Sequence, residues 1–105
     1  MTKTFLYLME CYFYQDWQSE FPQVENVLFY FASKENSKIL HNLIADIQYI
    51  LKNNLSQKIF VDNDFDFDLL LEGYNSEKEW FEDAYVIISK KSNKLWSIRS
   101  ILTIS

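Results

Sequence analysis

The chain has 105 residues, 49% of them hydrophobic and 18% aromatic, with a single glycine and a single proline. That is enough to bury a core without staples, it excludes a disordered chain, and so few breakers disfavour a turn-rich sandwich or barrel. The net charge of −5 and a pI of about 4.7 repel phosphate and argue against nucleic acid or an anionic membrane as a direct partner.

The first segment, residues 4 to 14, is apolar at Phe5, Leu8, Met9, Tyr12 and Phe13, which is helical spacing. Cys11 falls inside this pattern and is expected to be buried as a small apolar side chain. It is the only cysteine, so no intramolecular disulfide or CxxC pair exists and a reducing, cytoplasmic setting is expected. Met1-Thr2-Lys3-Thr4 followed by apolar residues broken by Glu10 does not make a signal peptide, and no apolar run nears the ~20 residues of a membrane helix. Residues 17 to 23 read as a connection around Phe21-Pro22, with proline suited to the opening of the next element.

Val24, Val27, Leu28 and Phe31 predict a second helix from about Val24 to Ala32. The polar run Ser33 to Ser37 ends it, and Asn36 or Ser37 supplies the N-cap of a third helix. This third helix, Lys38 to Lys52, carries the clearest stripe: Ile39, Leu40, Leu43, Ile44, Ile47, Ile50 and Leu51, with Asn42, Asp46, Gln48 and Lys52 facing away. Asn53-Asn54 ends it. A short helix from about Ser56 to Val61 follows. An acidic turn runs from Asp62 to Asp68, one of its acids capping a segment Phe67 to Glu72 that Gly73 closes. Ser76-Glu77-Lys78-Glu79 matches a capping box, opening a helix to about Lys90 with Trp80, Phe81, Ala84, Tyr85, Ile87 and Ile88 inward. The tail from Ser92 fits either a continued helix or a hairpin about Ser92-Asn93. The sum is a single, mainly α domain over residues 1–105, of about five helices, with the third at its centre between the first two and the last.

No constellation for catalysis stands out. Asp62, Asp64, Asp66 and Asp68 alternate as in an EF-hand loop, but Phe67 takes the sixth position in place of glycine and Gly73 the twelfth in place of glutamate. Starting at Asp64 puts Leu69 and Asn75 there instead. The bland reading is a solvated loop with a helix cap, the functional one a surface for a basic partner. His41, the only histidine, is expected at the surface, and nothing brings it to Cys11. One glycine in the chain excludes most phosphate-binding loops. Lys90-Lys91 with Lys94 suits a helix end better than a nucleic-acid patch. No metal, cofactor or catalytic residue is predicted.

The block Tyr12-Phe13-Tyr14-Gln15-Asp16-Trp17, with Glu20-Phe21 and the Val24 to Phe31 helix after it, resembles one family. It is that of the CdiI immunity proteins of bacterial contact-dependent growth inhibition. The aliphatic helix ending Ile47-Gln48-Tyr49-Ile50-Leu51, then Gly73-Tyr74 and Trp80-Phe81, fit the same pattern, so the resemblance runs over roughly residues 5 to 90. The loop Asp62 to Asp68 and the tail Ser92 to Ser105 depart from it. The resemblance implies a small cytoplasmic inhibitor, not an enzyme. It would be a monomer binding 1:1 to a CdiA-type toxin C-terminal domain and covering its active site or substrate access. Many such toxins are nucleases with a basic face, which an acidic inhibitor complements. On that footing Asp62, Asp64, Asp66 and Asp68 lead the candidate contacts, with Phe65 as aromatic anchor and Asp16 and Glu20 second. Asp16 has a structural alternative as a cap or a partner of nearby backbone, and Trp17 is expected in the core. The competing classes are an interaction domain without a toxin partner and, behind it, a small metal-binding protein or enzyme.

Overall fold

The computed structural model describes residues 2–14, 16–63, 65 and 68–104, with side chains described as far as residue 90. Among the described residues six helices follow one another: α1 (Lys3–Cys11), α2 (Trp17–Glu20), α3 (Val24–Lys34), α4 (Ser37–Lys52), α5 (Ser56–Asn63) and α6 (Glu77–Ile104). No strand occurs among the described residues. The fold is therefore all-α, as the stripes predict.

The hub is α6, against which α3, α4 and α5 all pack, while α1 lies on α4. The sequence pointed to α4 as the centre because its stripe is the longest. The tertiary arrangement instead gives that place to the helix with the largest aromatics. Trp80 and Phe81 are fully buried and reach Phe5 of α1 at 6.0 and 4.9 Å between ring centroids. Trp80 also meets Phe13 at 5.7 Å, and Phe13 meets Trp17 edge-on at 5.3 Å. Edge-to-face pairs of this kind add to the gain from burial alone. Leu40, Leu43, Ile47 and Ile50 of α4, and Val27, Leu28 and Phe31 of α3, complete the core.

Helix ends follow local chemistry. The Asn36 side-chain oxygen accepts from Ile39 N at 2.9 Å and so caps α4. Asn54 takes a left-handed conformation, φ 56, while Leu55 N donates to Ile50 O and Asn54 N to Leu51 O. Gly73 repeats the device at φ 90, with Tyr74 N donating to Leu69 O and Gly73 N to Leu70 O. Both show the bond pattern of a Schellman closure, which at α4 satisfies carbonyls the helix end leaves orphaned and at Gly73 closes the single turn before it. Ser76 Oγ accepts from Glu79 N at 3.2 Å, the forward half of the expected capping box.

Four expectations are corrected. The first helix stops at Cys11, three residues early, because Tyr12 N and Phe13 N both donate to Leu8 O and the chain then turns Phe13 into the core. Cys11 is exposed: at 100° per residue it stacks over Tyr7, outside the Phe5–Leu8–Met9 stripe. The stretch 17 to 23 contains the one-turn helix α2. The segment Phe67 to Glu72 is no helix: among its described residues, 68 to 72, there is a single turn, Glu72 N on Asp68 O at 3.2 Å. The tail, left open between helix and hairpin, is helical through Ile104. No glycine or proline interrupts residues 77–104, so nothing there forces a turn.

Asp46 also departs from expectation. Instead of facing away it is half-buried, and its Oδ2 accepts from Thr4 N at 2.9 Å and Phe5 N at 3.0 Å. Thr2, the residue before α1, makes no side-chain cap. A carboxylate on α4 thus does for α1 what its own N-cap does not.

Candidate functional site

The expected contact residues divide between two surfaces. The first surrounds the acidic turn. Asp62 lies in the last turn of α5, exposed, and pairs with Lys58 one turn earlier at 2.8 Å. That bond and the charge of Asp62 raise the Lys58 pKa, and part of the acid's field is spent within the chain. Asp64 and Asp66 lie outside the described residues. Asp68 is exposed, and its Oδ1 accepts from Leu70 N at 3.0 Å, an Asx turn that starts the Leu69–Gly73 bend.

Phe65 is half-buried and points into the fold. Its ring lies edge-on to Phe5 at 5.7 Å and to Phe60 at 5.3 Å. Among the described residues here, the large apolar groups that face solvent are aliphatic: Val61 is 68%, Leu70 73% and Leu71 81% exposed. Val61 and Leu70 stand at a surface cavity of about 570 Å³ that Asp68, Tyr74 and Glu77 also line. Leu71 stands at the lip of a second cavity of about 410 Å³, whose walls carry Glu25, Glu72 and Asp83. Tyr74 O–H donates to Asp83 Oδ2 at 2.5 Å. Burial and then that bond push the Tyr74 phenol well above its ordinary value, so it stays a donor. Gln18 Nε2 donates to Glu72 Oε2 at 2.7 Å and ties α2 to this bend. Large aliphatic side chains in water beside carboxylates, of which Asp68, Glu25, Glu72 and Asp83 form no ion pair among the described residues, make an apolar centre with an acidic rim, the anatomy of a protein-docking surface.

The second surface lies between α1 and α3. Phe13 turns in, while Tyr12 and Tyr14 on either side of it turn out. Tyr7 and Tyr12 both donate to Glu35 Oε2, at 2.7 and 2.5 Å, and Tyr14 O–H donates to Glu20 Oε2. Tyr7, Tyr12, Tyr14 and Glu20, with the Tyr30 and Phe21 rings at 5.3 Å, border a groove of about 340 Å³ that Cys11 also lines, and Glu35 is bonded to two of its wall residues, Tyr7 and Tyr12. The carboxylates raise their partners' phenol pKa values: the bond to Glu20 pushes Tyr14 up to about 12, Tyr7 rises through its bond to Glu35, and Tyr12 through burial and then Glu35. Glu20, expected beside the acidic turn's residues as a contact, belongs to this groove. Asp16 is exposed and makes no side-chain cap; its backbone carbonyl accepts from Ser19 N and Oγ.

The sequence carried signals for both missed features. Tyr30 falls off the Val24–Val27–Leu28–Phe31 stripe, which puts it outward on α3. Leu70 and Leu71 follow an acid that caps a bend, where successive residues cannot all turn inward. Among the described residues no group of three His, Cys, Asp or Glu could hold a metal ion, and no helix is long and apolar enough to cross a membrane.

No curated protein and no solved structure was found to match the chain. The family model of the CdiI immunity protein matches residues 1–85, a span that takes in α1 to α5, the acidic turn, and the buried Trp80 and Phe81. The chain therefore belongs to the CdiI immunity protein family, inhibitors that neutralise a toxin and are not enzymes.

Proposed function

We propose that the chain neutralises a basic CdiA-type toxin C-terminal domain, a nuclease, by laying the acidic face around residues 61–74 over the region where that domain takes its substrate. One observation carries this reading: Val61, Leu70 and Leu71 are exposed beside Asp68, Glu72, Glu25 and Asp83. The leucines give a desolvated centre. The carboxylates give the charge that a phosphate-attracting face seeks, and they speed and orient the encounter. Asp62, with Asp64 and Asp66 of the same acidic stretch of sequence, adds negative charge to this face, Phe65 holds the turn on the aromatic core, and Asp16 is a further contact on the other surface. The complex is a 1:1 heterodimer in the cytoplasm, where a delivered nuclease meets its substrate.

The test is co-purification of the chain with the toxin domain encoded directly upstream of its gene, followed by nuclease assay of that domain with and without the chain. Stoichiometric loss of nuclease activity supports the proposal. A complex whose toxin cleaves no nucleic acid removes the nuclease assignment, and no complex removes the pairing.

A further inference from the structure

The groove between α1 and α3 is built for a cation. Tyr7 and Tyr30, 37% and 43% exposed, keep ring surface in water, whereas Phe5, Phe31, Trp80 and Phe81 are fully buried. Glu35 is held by two phenol donors and Glu20 by a third. Neither forms an ion pair among the described residues, where the recorded pair is Lys58–Asp62. Lys34 Nζ stands 5.4 Å over the Tyr30 ring, so this ring already meets an ammonium within the chain.

We propose that the groove is a second docking surface that takes an arginine side chain of the toxin, its guanidinium stacked on Tyr30 and facing Glu20. This rests on the immunity role and deepens it by naming what the aromatic face recognises. A guanidinium suits the groove better than an ammonium. It is planar, weakly hydrated, stacks on aromatic rings, and its fork of donors matches carboxylates. Tyr14 already donates to Glu20, which holds that carboxylate in place before a partner arrives, and pre-organisation lowers the cost of binding. A second copy of this chain is the poorer occupant, because a two-fold pairing would bring the same acidic groups together in chains of net charge −5.

Cys11 supplies the readout. It is the chain's one thiol, exposed and on the groove wall, so its alkylation rate, followed by mass spectrometry of the intact chain, reports whether the groove is covered. Saturating toxin domain from the adjacent gene is expected to slow that reaction at least tenfold. Tyr30→Ala and Glu20→Gln are each expected to weaken the complex at least fivefold with unchanged helical circular dichroism, the Glu20→Gln loss shrinking at high salt. If Tyr30→Ala proves misfolded, Glu20→Gln and the protection of the unaltered chain decide. A complex in which Cys11 reacts at its free rate overturns the groove assignment and leaves the immunity role standing. Absence of any complex overturns both. Protection that grows with concentration of the chain alone, with a dimer in gel filtration, gives the groove to a second copy and overturns the proposal.

Discussion

Asp46 on α4 accepts the backbone N–H of Phe5 on α1 at 3.0 Å, across 41 residues of chain. The same oxygen accepts from Thr4 N, so one carboxylate satisfies two of the four donors a helix start leaves open, and its charge lies at the positive end of α1. Phe5 is in turn fully buried against Phe81 and Trp80. Replacing the carboxylate should therefore loosen both the helix start and the ring packing behind it. Asp46→Ala is expected to cost about 2 kcal/mol, the sum of a cap and charge-assisted bonds at a half-buried site. Asp46→Asn, which keeps an acceptor, should lose about half of that. Urea unfolding curves check both, and a neutral Asp46→Ala would mean α1 is capped by solvent.

Trp17 is a second anchor of the core. Its side chain is fully buried and packs on Phe13. Trp17→Ala should cost roughly 3–5 kcal/mol, the range for removing a large buried aromatic. Thermal unfolding of the variant measures it. A loss under about 1 kcal/mol would contradict burial on the same rule.

Short-range chemistry explains what could be read in advance. The stripe from Ile39 to Leu51, the Asn36 cap, Gly73 at a positive φ and the Ser76 box all depend on residues within one or two turns of each other. The errors lie where distant elements decide. Asp46 looks outward within α4 until α1 is laid on it. Phe65 sits among acids in sequence, yet Phe5 and Phe60 draw its ring inward. Cys11 is a different case, for residue type suggests burial while its phase relative to Leu8 and Met9 places it outside. The tyrosine groove needs α1, the turn before α2, and α3 in register, and no single segment carries that pattern.

The phenol–carboxylate bonds give the fold an alkaline limit. Tyr7, Tyr12, Tyr14 and Tyr74 all have phenol pKa values raised above the ordinary 10.0. The folded state thus holds these protons more tightly than the unfolded chain. Their stabilisation is fully present below pH 10 and is lost as pH rises through the folded values, the one for Tyr14 lying at about 12. Absorbance at 295 nm should show tyrosines still protonated after the exposed ones have ionised, and stability should fall across the same window. Glu35→Gln should shift the late fraction to lower pH, since it removes the charge acting on Tyr7 and Tyr12.

The face around residues 61–74 separates two contributions that one variant would confuse. Asp68→Asn keeps the Asx oxygen that accepts from Leu70 N, so it removes charge without removing the bend. Combined with Asp64→Asn and Asp66→Asn, it should slow association with the toxin at low salt and flatten the salt dependence, with dissociation little changed. Leu71→Ser removes apolar area from a residue 81% exposed, so the free chain should remain as stable, within about 0.5 kcal/mol. It should act on the other rate: dissociation should quicken about tenfold, the effect of losing about 1.4 kcal/mol at a buried centre. Stopped-flow association and surface-binding dissociation measure the two rates independently. If the leucine variant changed neither rate while the aspartate variant changed association, the acids would only steer the toxin and the seated contact would lie on another face.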